Sequence, residues 1–183
     1  MASQTDPARQ RLFVALWPSS EAVEHLSKAL AERRPADPTL HWQAPERWHL
    51  TLAFLGQADP HRARNRLSTL ALTAAGPLRL TGAGTFGPVL WIDVEHGAWL
   101  PDLARTVRAA LHVDDGRNRP HLTVARARGS SAPAHARDAM PALADYRGPA
   151  WTPDAVTLVS SRTGPSPRYE VIDSWPFPPA RED

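Results

Sequence analysis

Two tetrapeptides, His49-Leu50-Thr51-Leu52 and His121-Leu122-Thr123-Val124, each set an imidazole and a hydroxyl two residues apart inside an apolar run. On a strand that spacing points both polar groups to one face. Around the first copy, Trp48, Leu50, Leu52 and Phe54 alternate with His49, Thr51, Ala53 and Leu55; around the second, Leu122 and Val124 alternate with His121, Thr123 and Ala125. Two such strands side by side would present two imidazoles and two hydroxyls to one cleft. Imidazole, with an ordinary pKa of about 6.5, suits both the acceptor and the donor of a proton near neutrality. The hydroxyls could donate hydrogen bonds to the non-bridging oxygens of a phosphate. The chemistry this suggests is phosphoester cleavage by paired acid and base, a layout that asks for no metal. One copy alone would read as a hydrogen-bonded histidine beside an ordinary strand residue. The repetition changes that reading.

The elements that would position these strands can be read from periodicity. Leu12 to Trp17 reads as a strand, and Pro18-Ser19-Ser20 breaks it and caps a helix carrying Val23, Leu26 and Leu30. Leu40 to Gln43 reads as an edge strand, and the first histidine strand ends at Gly56. Asp59-Pro60 opens a second helix with Ala63, Leu67, Leu70 and Ala74 on one face, closing near Gly76-Pro77. Leu78 to Leu80 and Val89 to Val94 read as strands, Leu100, Leu103 and Val107 mark a third helix, and Gly116 turns the chain into the second histidine strand. A fourth helix is expected from Pro133 to Ala144, then a hairpin of Ala155 to Ser161 and Tyr169 to Ser174 across Gly164-Pro165-Ser166-Pro167. The pattern is α+β and coarsely duplicated, each half holding a helix, a histidine strand, another helix and further strands. Residues 1–10 read as a disordered start, 11–179 as one bilobal domain and 180–183 as a tail.

Composition narrows the function classes. The 183 residues suffice for one well-buried domain. With 21 basic against 19 acidic residues the net charge is only +2, so recognition of a polyanion would have to be local. Apart from Lys28 every basic residue is arginine, which suits phosphate but follows equally from codon bias. The absence of cysteine removes disulfides, thiolate zinc sites and a thiol nucleophile. No apolar run approaches the about 20 residues of a membrane span, and Met1 to Gln10 lacks a signal-peptide core, so a cytoplasmic protein is expected. Gly82-Ala83-Gly84-Thr85-Phe86-Gly87 matches the dinucleotide fingerprint in letters, but Pro88 and the strand-like Val89 to Val94 follow where a helix is required. It reads instead as a glycine-rich turn between strands.

The residues resemble the 2H phosphoesterases, and within them the bacterial RNA 2′,3′-cyclic phosphodiesterase or "2′-5′ RNA ligase" branch. The resemblance is carried, in order, by Arg11-Leu12-Phe13-Val14-Ala15-Leu16, by Trp48 to Gly56, by Arg119-Pro120-His121-Leu122-Thr123-Val124-Ala125-Arg126, and by Ser161-Arg162 with Tyr169-Glu170-Val171 and Trp175-Pro176. The stretch Gly116-Arg117-Asn118-Arg119-Pro120 departs from it, lacking the aromatic residue often found ahead of Pro-His. The resemblance implies two pseudo-symmetric lobes of antiparallel sheet with helices outside and the two His-x-Thr motifs in the cleft between them. It further implies opening of a terminal 2′,3′-cyclic phosphate on RNA to a 2′-phosphate, with His121 as proton acceptor, His49 as proton donor and Thr51 and Thr123 on the phosphate. The two motifs are too alike for spacing to order these roles. The reverse reaction would join a cyclic end to a 5′-hydroxyl through a 2′-5′ linkage without ATP.

Around this core the sequence offers weaker candidates. Arg126 and Arg162 are possible phosphate ligands, although on a regular strand Arg126 alternates with Leu122 and Val124, away from the cleft; only the resemblance keeps it. Trp91, with Phe86 second, is the candidate to stack on a base. No cofactor, metal or obligate protein partner is expected; the partner is RNA ending in a cyclic phosphate. Two alternatives stay open: a phosphodiesterase on a small cyclic phosphate, such as an ADP-ribose cyclic phosphate or a cyclic nucleotide, and an RNA-end-binding module without turnover. Two histidines titrating near neutrality would give a bell-shaped pH–rate profile.

Overall fold

Apolar alternation along the strands and i, i+4 spacing in the helices sort the chain into a sheet covered on one face. The computed structural model describes residues 9–114, 119–162 and 168–180. Residues 1–8 of the expected disordered start, Gly116-Arg117-Asn118, the loop Gly164-Pro165-Ser166-Pro167 and residues 181–183 of the tail lie outside the described residues. The strands are β1 (Gln10–Leu16), β2 (Leu40–Trp42), β3 (Leu50–Ala58), β4 (Leu78–Phe86), β5 (Val89–His96), β6 (His121–Ala127), β7 (Arg147–Trp151), β8 (Ala155–Arg162) and β9 (Arg168–Pro176). All pair antiparallel in one sheet of order β7-β4-β5-β6-β3-β1-β8-β9, with β2 added beside β6. The fold is α+β, as the periodicity implied.

The two histidine strands are central neighbours, and their register is a single pair, Leu50 with Leu122. Antiparallel pairing there sets His49 across from Thr123 and Thr51 across from His121. On either side of this narrow seam the sheet divides into β2, β4–β7 and β1, β3, β8, β9.

Four helices cover one face: α1 (Ser20–Arg33), α2 (Pro60–Leu67), α3 (Trp99–Leu111) and α4 (Ala132–Ala139). Their buried sides, including Leu26, Leu67, Val107 and Ala136, share one core with Leu12, Leu50, Leu80 and Leu122 of the sheet. Burial of each large side chain there contributes about 1.5–3 kcal/mol. The other face carries a small cluster of Phe13, Ala15 and Val159, flanked by Trp17 and Tyr169. Ser19 caps α1 by accepting from the Ala22 amide, and Asp59 caps α2 by accepting from the His61 and Arg62 amides. Among the described residues no helix is long and apolar enough to cross a membrane.

Local chemistry accounts for the departures from the expected elements. Helix α2 ends at Leu67, short of Leu70 and Ala74, where the Ser68 and Thr69 hydroxyls fold back onto the Arg64 and Arg66 carbonyls. Helix α4 gives way at Met140 to a short 3₁₀ turn through Leu143, because Pro141 lacks the amide that an α-helix needs. Strand β7 was not expected from Arg147-Gly148-Pro149; it lies at the sheet edge, where proline is tolerated.

The glycine-rich stretch is strand, not turn: Gly82 to Phe86 continue β4, and the reversal comes only at Gly87-Pro88. Gly82 is an extra residue between Thr81, paired with Asp93, and Ala83, paired with Ile92, and its φ of +56° favours glycine. Gly84 lies under the Trp91 indole, where a Cβ would stand 2.2 Å from the ring. The fingerprint's three glycines therefore serve a bulge, a ring contact and the reversal at Gly87.

Candidate active site

Each motif folds into the same local device. His49 directs Nδ1 to the Arg47 carbonyl at 2.7 Å, and His121 directs Nδ1 to the Arg119 carbonyl at 2.8 Å. A carbonyl only accepts, so each Nδ1 carries the proton, and in the neutral ring Nε2 is left as the basic atom. The arginines that supply these carbonyls also send their guanidinium groups over aromatic rings, Arg47 over Tyr169 at 4.9 Å and Arg119 over Trp91 at 5.1 Å. The repeat is therefore longer than His-x-Thr: Arg47-Trp48-His49-Leu50-Thr51-Leu52-Ala53 against Arg119-Pro120-His121-Leu122-Thr123-Val124-Ala125. That longer repeat was the signal for Arg47, which the shorter pattern missed.

His49, Thr51, His121 and Thr123 line one cleft of about 380 Å³ on the face opposite the helices. Arg11, Arg47 and Arg126 line it too, and no carboxylate is among its described lining residues. Arg47 Nε is buried there without a hydrogen-bond partner, a donor that an anionic oxygen would satisfy. A larger depression of about 480 Å³, beside Arg62, Arg66 and His112 on the helix side, holds none of the motif residues.

Two of the lining residues contradict simple alternation. In β6, Leu90 pairs with Ala125 and Trp91 with Thr123, so Val124 is an extra residue; Val124 and Ala125 both turn into the core and Arg126 returns to the cleft. In β3, Val14 pairs with Ala53 and Ala15 with Thr51, so Leu52 is extra; Leu52 and Ala53 turn into the core and Phe54 faces the cleft. The expectations that Arg126 points away and that Phe54 shares the greasy face with Leu50 and Leu52 are corrected by these bulges.

The remaining candidates separate. Arg162 is not among the lining residues; its neighbour Ser161 is, while the Arg162 side chain lies exposed toward Glu170 at 3.7 Å. Trp91 is only 5% exposed, covered on one side by Phe86 at 4.9 Å, so it offers no open face to a base. Phe86 is 45% exposed and meets His121 edge-on at 5.1 Å. On the other wall, Phe13 at 4.7 Å and Tyr169 at 5.4 Å enclose His49.

These walls depress both imidazoles. Burial pushes His49 down to about 4, with the nearby His121 and Arg47 charges adding and the Arg47 carbonyl opposing. Burial also holds His121 below its ordinary value, with Arg126 adding and the Arg119 carbonyl and Asp93 opposing. Both shifts favour the neutral imidazole over the imidazolium in the free protein. Among the described residues no three His, Cys, Asp or Glu side chains gather as a metal site.

The family model described as the 2′-5′ RNA ligase superfamily matches residues 46–165, which include both motifs. The chain is 29% identical over 185 residues to an RNA 2′,3′-cyclic phosphodiesterase of Geobacillus stearothermophilus, covering 92% of this chain and 58% of that protein. It is 28% identical over 132 residues to one of Methanothermobacter thermautotrophicus, covering 65% of this chain and 72% of the other. The chain thus spans little more than half the length of the first of these relatives. Its fold is similar to that of E. coli LigT in apo form, with a TM-score of 0.75 at 23% identity over 93% of this chain and 98% of that one. It is also similar to a Thermus thermophilus protein, with a TM-score of 0.71 at 26% identity over 91% and 97%.

Proposed function

The chain belongs to the 2′-5′ RNA ligase superfamily, and we propose that it opens terminal 2′,3′-cyclic phosphates on RNA to 2′-phosphates by two-histidine acid–base catalysis. The observation that carries this reading is the pair of imidazoles in one basic cleft, each with Nδ1 held by a backbone carbonyl and Nε2 left for chemistry. The names of the curated relatives supply the substrate class.

In the proposed reaction His121 Nε2 takes a proton from the attacking water as its oxygen bonds to phosphorus. The bond from phosphorus to the 3′-oxygen breaks on the opposite side, and protonated His49 delivers its proton there. The terminal ribose keeps the phosphate on its 2′-oxygen. Hydroxyls of Thr51 and Thr123 and the guanidinium of Arg126 meet the non-bridging oxygens, where negative charge accumulates. The terminal nucleoside lies on the His49 side, beside Tyr169. Both proton transfers fall to side chains of this chain, so the reading includes turnover without added metal.

The test is incubation with an RNA oligomer and with a mononucleotide, each ending in a 2′,3′-cyclic phosphate, in excess EDTA, with 2′- and 3′-phosphate products resolved. Opening of the oligomer to the 2′-phosphate alone is expected. Release of 3′-phosphate, or no opening of either substrate by folded protein, would overturn the reading.

A further inference from the structure

The proposed reaction handles only the last nucleoside of the RNA, so the strand 5′ of it must leave the cleft across the protein surface. The terminal nucleoside lies beside His49, whose ring packs on Phe13 of β1. Two residues back along the chain Arg11 lines the same cleft, and two further back Arg9 lines the separate depression of about 480 Å³. Each two-residue step of extended chain advances about 6.6 Å, of the order of the step between neighbouring phosphates in an extended single strand. The two depressions meet at one cross-strand pair, because Arg11 lines the cleft and its register partner on β3, Gln57, lines the other.

The second depression is built for an anion. Arg62 and Arg66 stand one turn apart on α2 and both line it, whereas Arg64 between them turns to Asp173. Arg66 holds the Leu111 carbonyl at 3.0 Å, which ties α2 to the end of α3. Arg9 and Arg62 are exposed, and among the described residues neither side chain has an ion-pair partner. The one carboxylate among the described lining residues, Asp59, is engaged at the α2 cap by the His61 and Arg62 amides at 2.8 and 3.4 Å. Unpaired guanidinium forks suit phosphate oxygens. Among the described lining residues there is no Phe, Tyr or Trp, so the depression offers backbone binding without a ring for bases to stack on.

We propose that this depression is a second, non-catalytic anchor for the RNA backbone: the strand passes from the cleft over Arg11 and sets its upstream phosphates against Arg9 and Arg62. This rests on the proposed function and adds a distant binding site for the same substrate. The reacting phosphate never touches the anchor, which therefore acts on binding and leaves the chemical step alone. A mononucleotide is too short to reach it. With only phosphate contacts, the anchor selects for length of strand and not for base sequence.

The experiment compares an RNA oligomer with a mononucleotide, each ending in a 2′,3′-cyclic phosphate, for wild type, the double variant Arg9→Gln with Arg62→Gln, and Arg64→Gln. On the oligomer the double variant should lose about 10- to 30-fold in kcat/KM at about 0.1 M salt, through KM, as two phosphate contacts at the single-strand salt slope require. On the mononucleotide it should stay within about twofold of wild type, since salt screens these charges from the cleft. Arg64→Gln should leave both substrates within about that margin, because its exposed ion pair contributes little. Fluorescence anisotropy of a labelled oligomer ending in a 2′-phosphate gives a readout independent of turnover. Its slope of log affinity against log salt should become shallower by about 0.7 per arginine removed. Equal losses on both substrates, a matching loss in Arg64→Gln, or an unchanged salt slope would overturn the proposal. If wild type opens neither substrate, the proposed chemistry fails, and the salt slope alone decides whether the anchor stands.

Discussion

Phe54 and Arg126 hold equivalent places after the two motif histidines, and both are turned into the cleft by the same device, an extra residue in the strand at Leu52 and at Val124. The pseudo-symmetry of the site thus extends beyond the histidines and threonines to a shared break in strand alternation. Chemically the two positions differ. One offers an apolar ring to the cleft, the other a guanidinium.

Arg126 is therefore expected to bear on the phosphate. Arg126→Ala should lower kcat/KM by about 10- to 100-fold, the usual range for a lost hydrogen bond to a charged group. Arg126→Lys should restore part of it by keeping the charge without the planar fork. Arg162→Ala, which alters an exposed side chain outside the cleft, should stay within about twofold of wild type, the small effect expected of an exposed ion pair. Steady-state kinetics on all three variants decide the matter, and equal losses at positions 126 and 162 would contradict the placement.

The legible part of this molecule was whatever alternation and repetition encode. The histidine strands, the Ser19 and Asp59 caps and the C-terminal hairpin follow from side-chain pattern alone. What stayed hidden depends on backbone irregularity or on distant contact. Arg126 looked misdirected because nothing in Val124-Ala125 announces a bulge. Trp91 looked open because the glycine that receives its ring, Gly84, lies on another strand and had been read as turn. Arg47 was discoverable, since its spacing to His49 repeats that of Arg119 to His121.

Gly84→Ala tests the packing that fixes Trp91. A Cβ there would stand 2.2 Å from the indole, so the ring must shift and carry Phe86 with it. Urea unfolding should show a loss of about 1–3 kcal/mol, typical of overpacking. Unchanged stability with an unchanged tryptophan emission spectrum would mean that the two do not press on each other.

The pH dependence follows from the depressed imidazoles. The reaction needs His49 protonated and His121 neutral, and kcat/KM reports the free enzyme. With His49 lowered to about 4 and His121 also lowered, both limbs of the kcat/KM bell should lie below the ordinary histidine value of about 6.5. Activity should rise as pH falls from 7, then decline toward 4. A bound phosphate anion favours both imidazolium forms, so the kcat bell should sit at higher pH than the kcat/KM bell. Coincident bells, or a kcat/KM optimum above pH 7, would contradict this electrostatic picture.

The central claim is that His49 and His121 act as one acid–base unit. Single-turnover opening of a 2′,3′-cyclic-phosphate RNA oligomer by wild type, His49→Ala, His121→Ala and the double variant tests it most directly. Each single substitution should slow the chemical step by about 10²–10⁴-fold, and the double variant should be little slower than the worse single one, because half of a concerted pair retains little value. Losses that multiply across the double variant, or a single variant within tenfold of wild type, would show that the two imidazoles do not work as a pair.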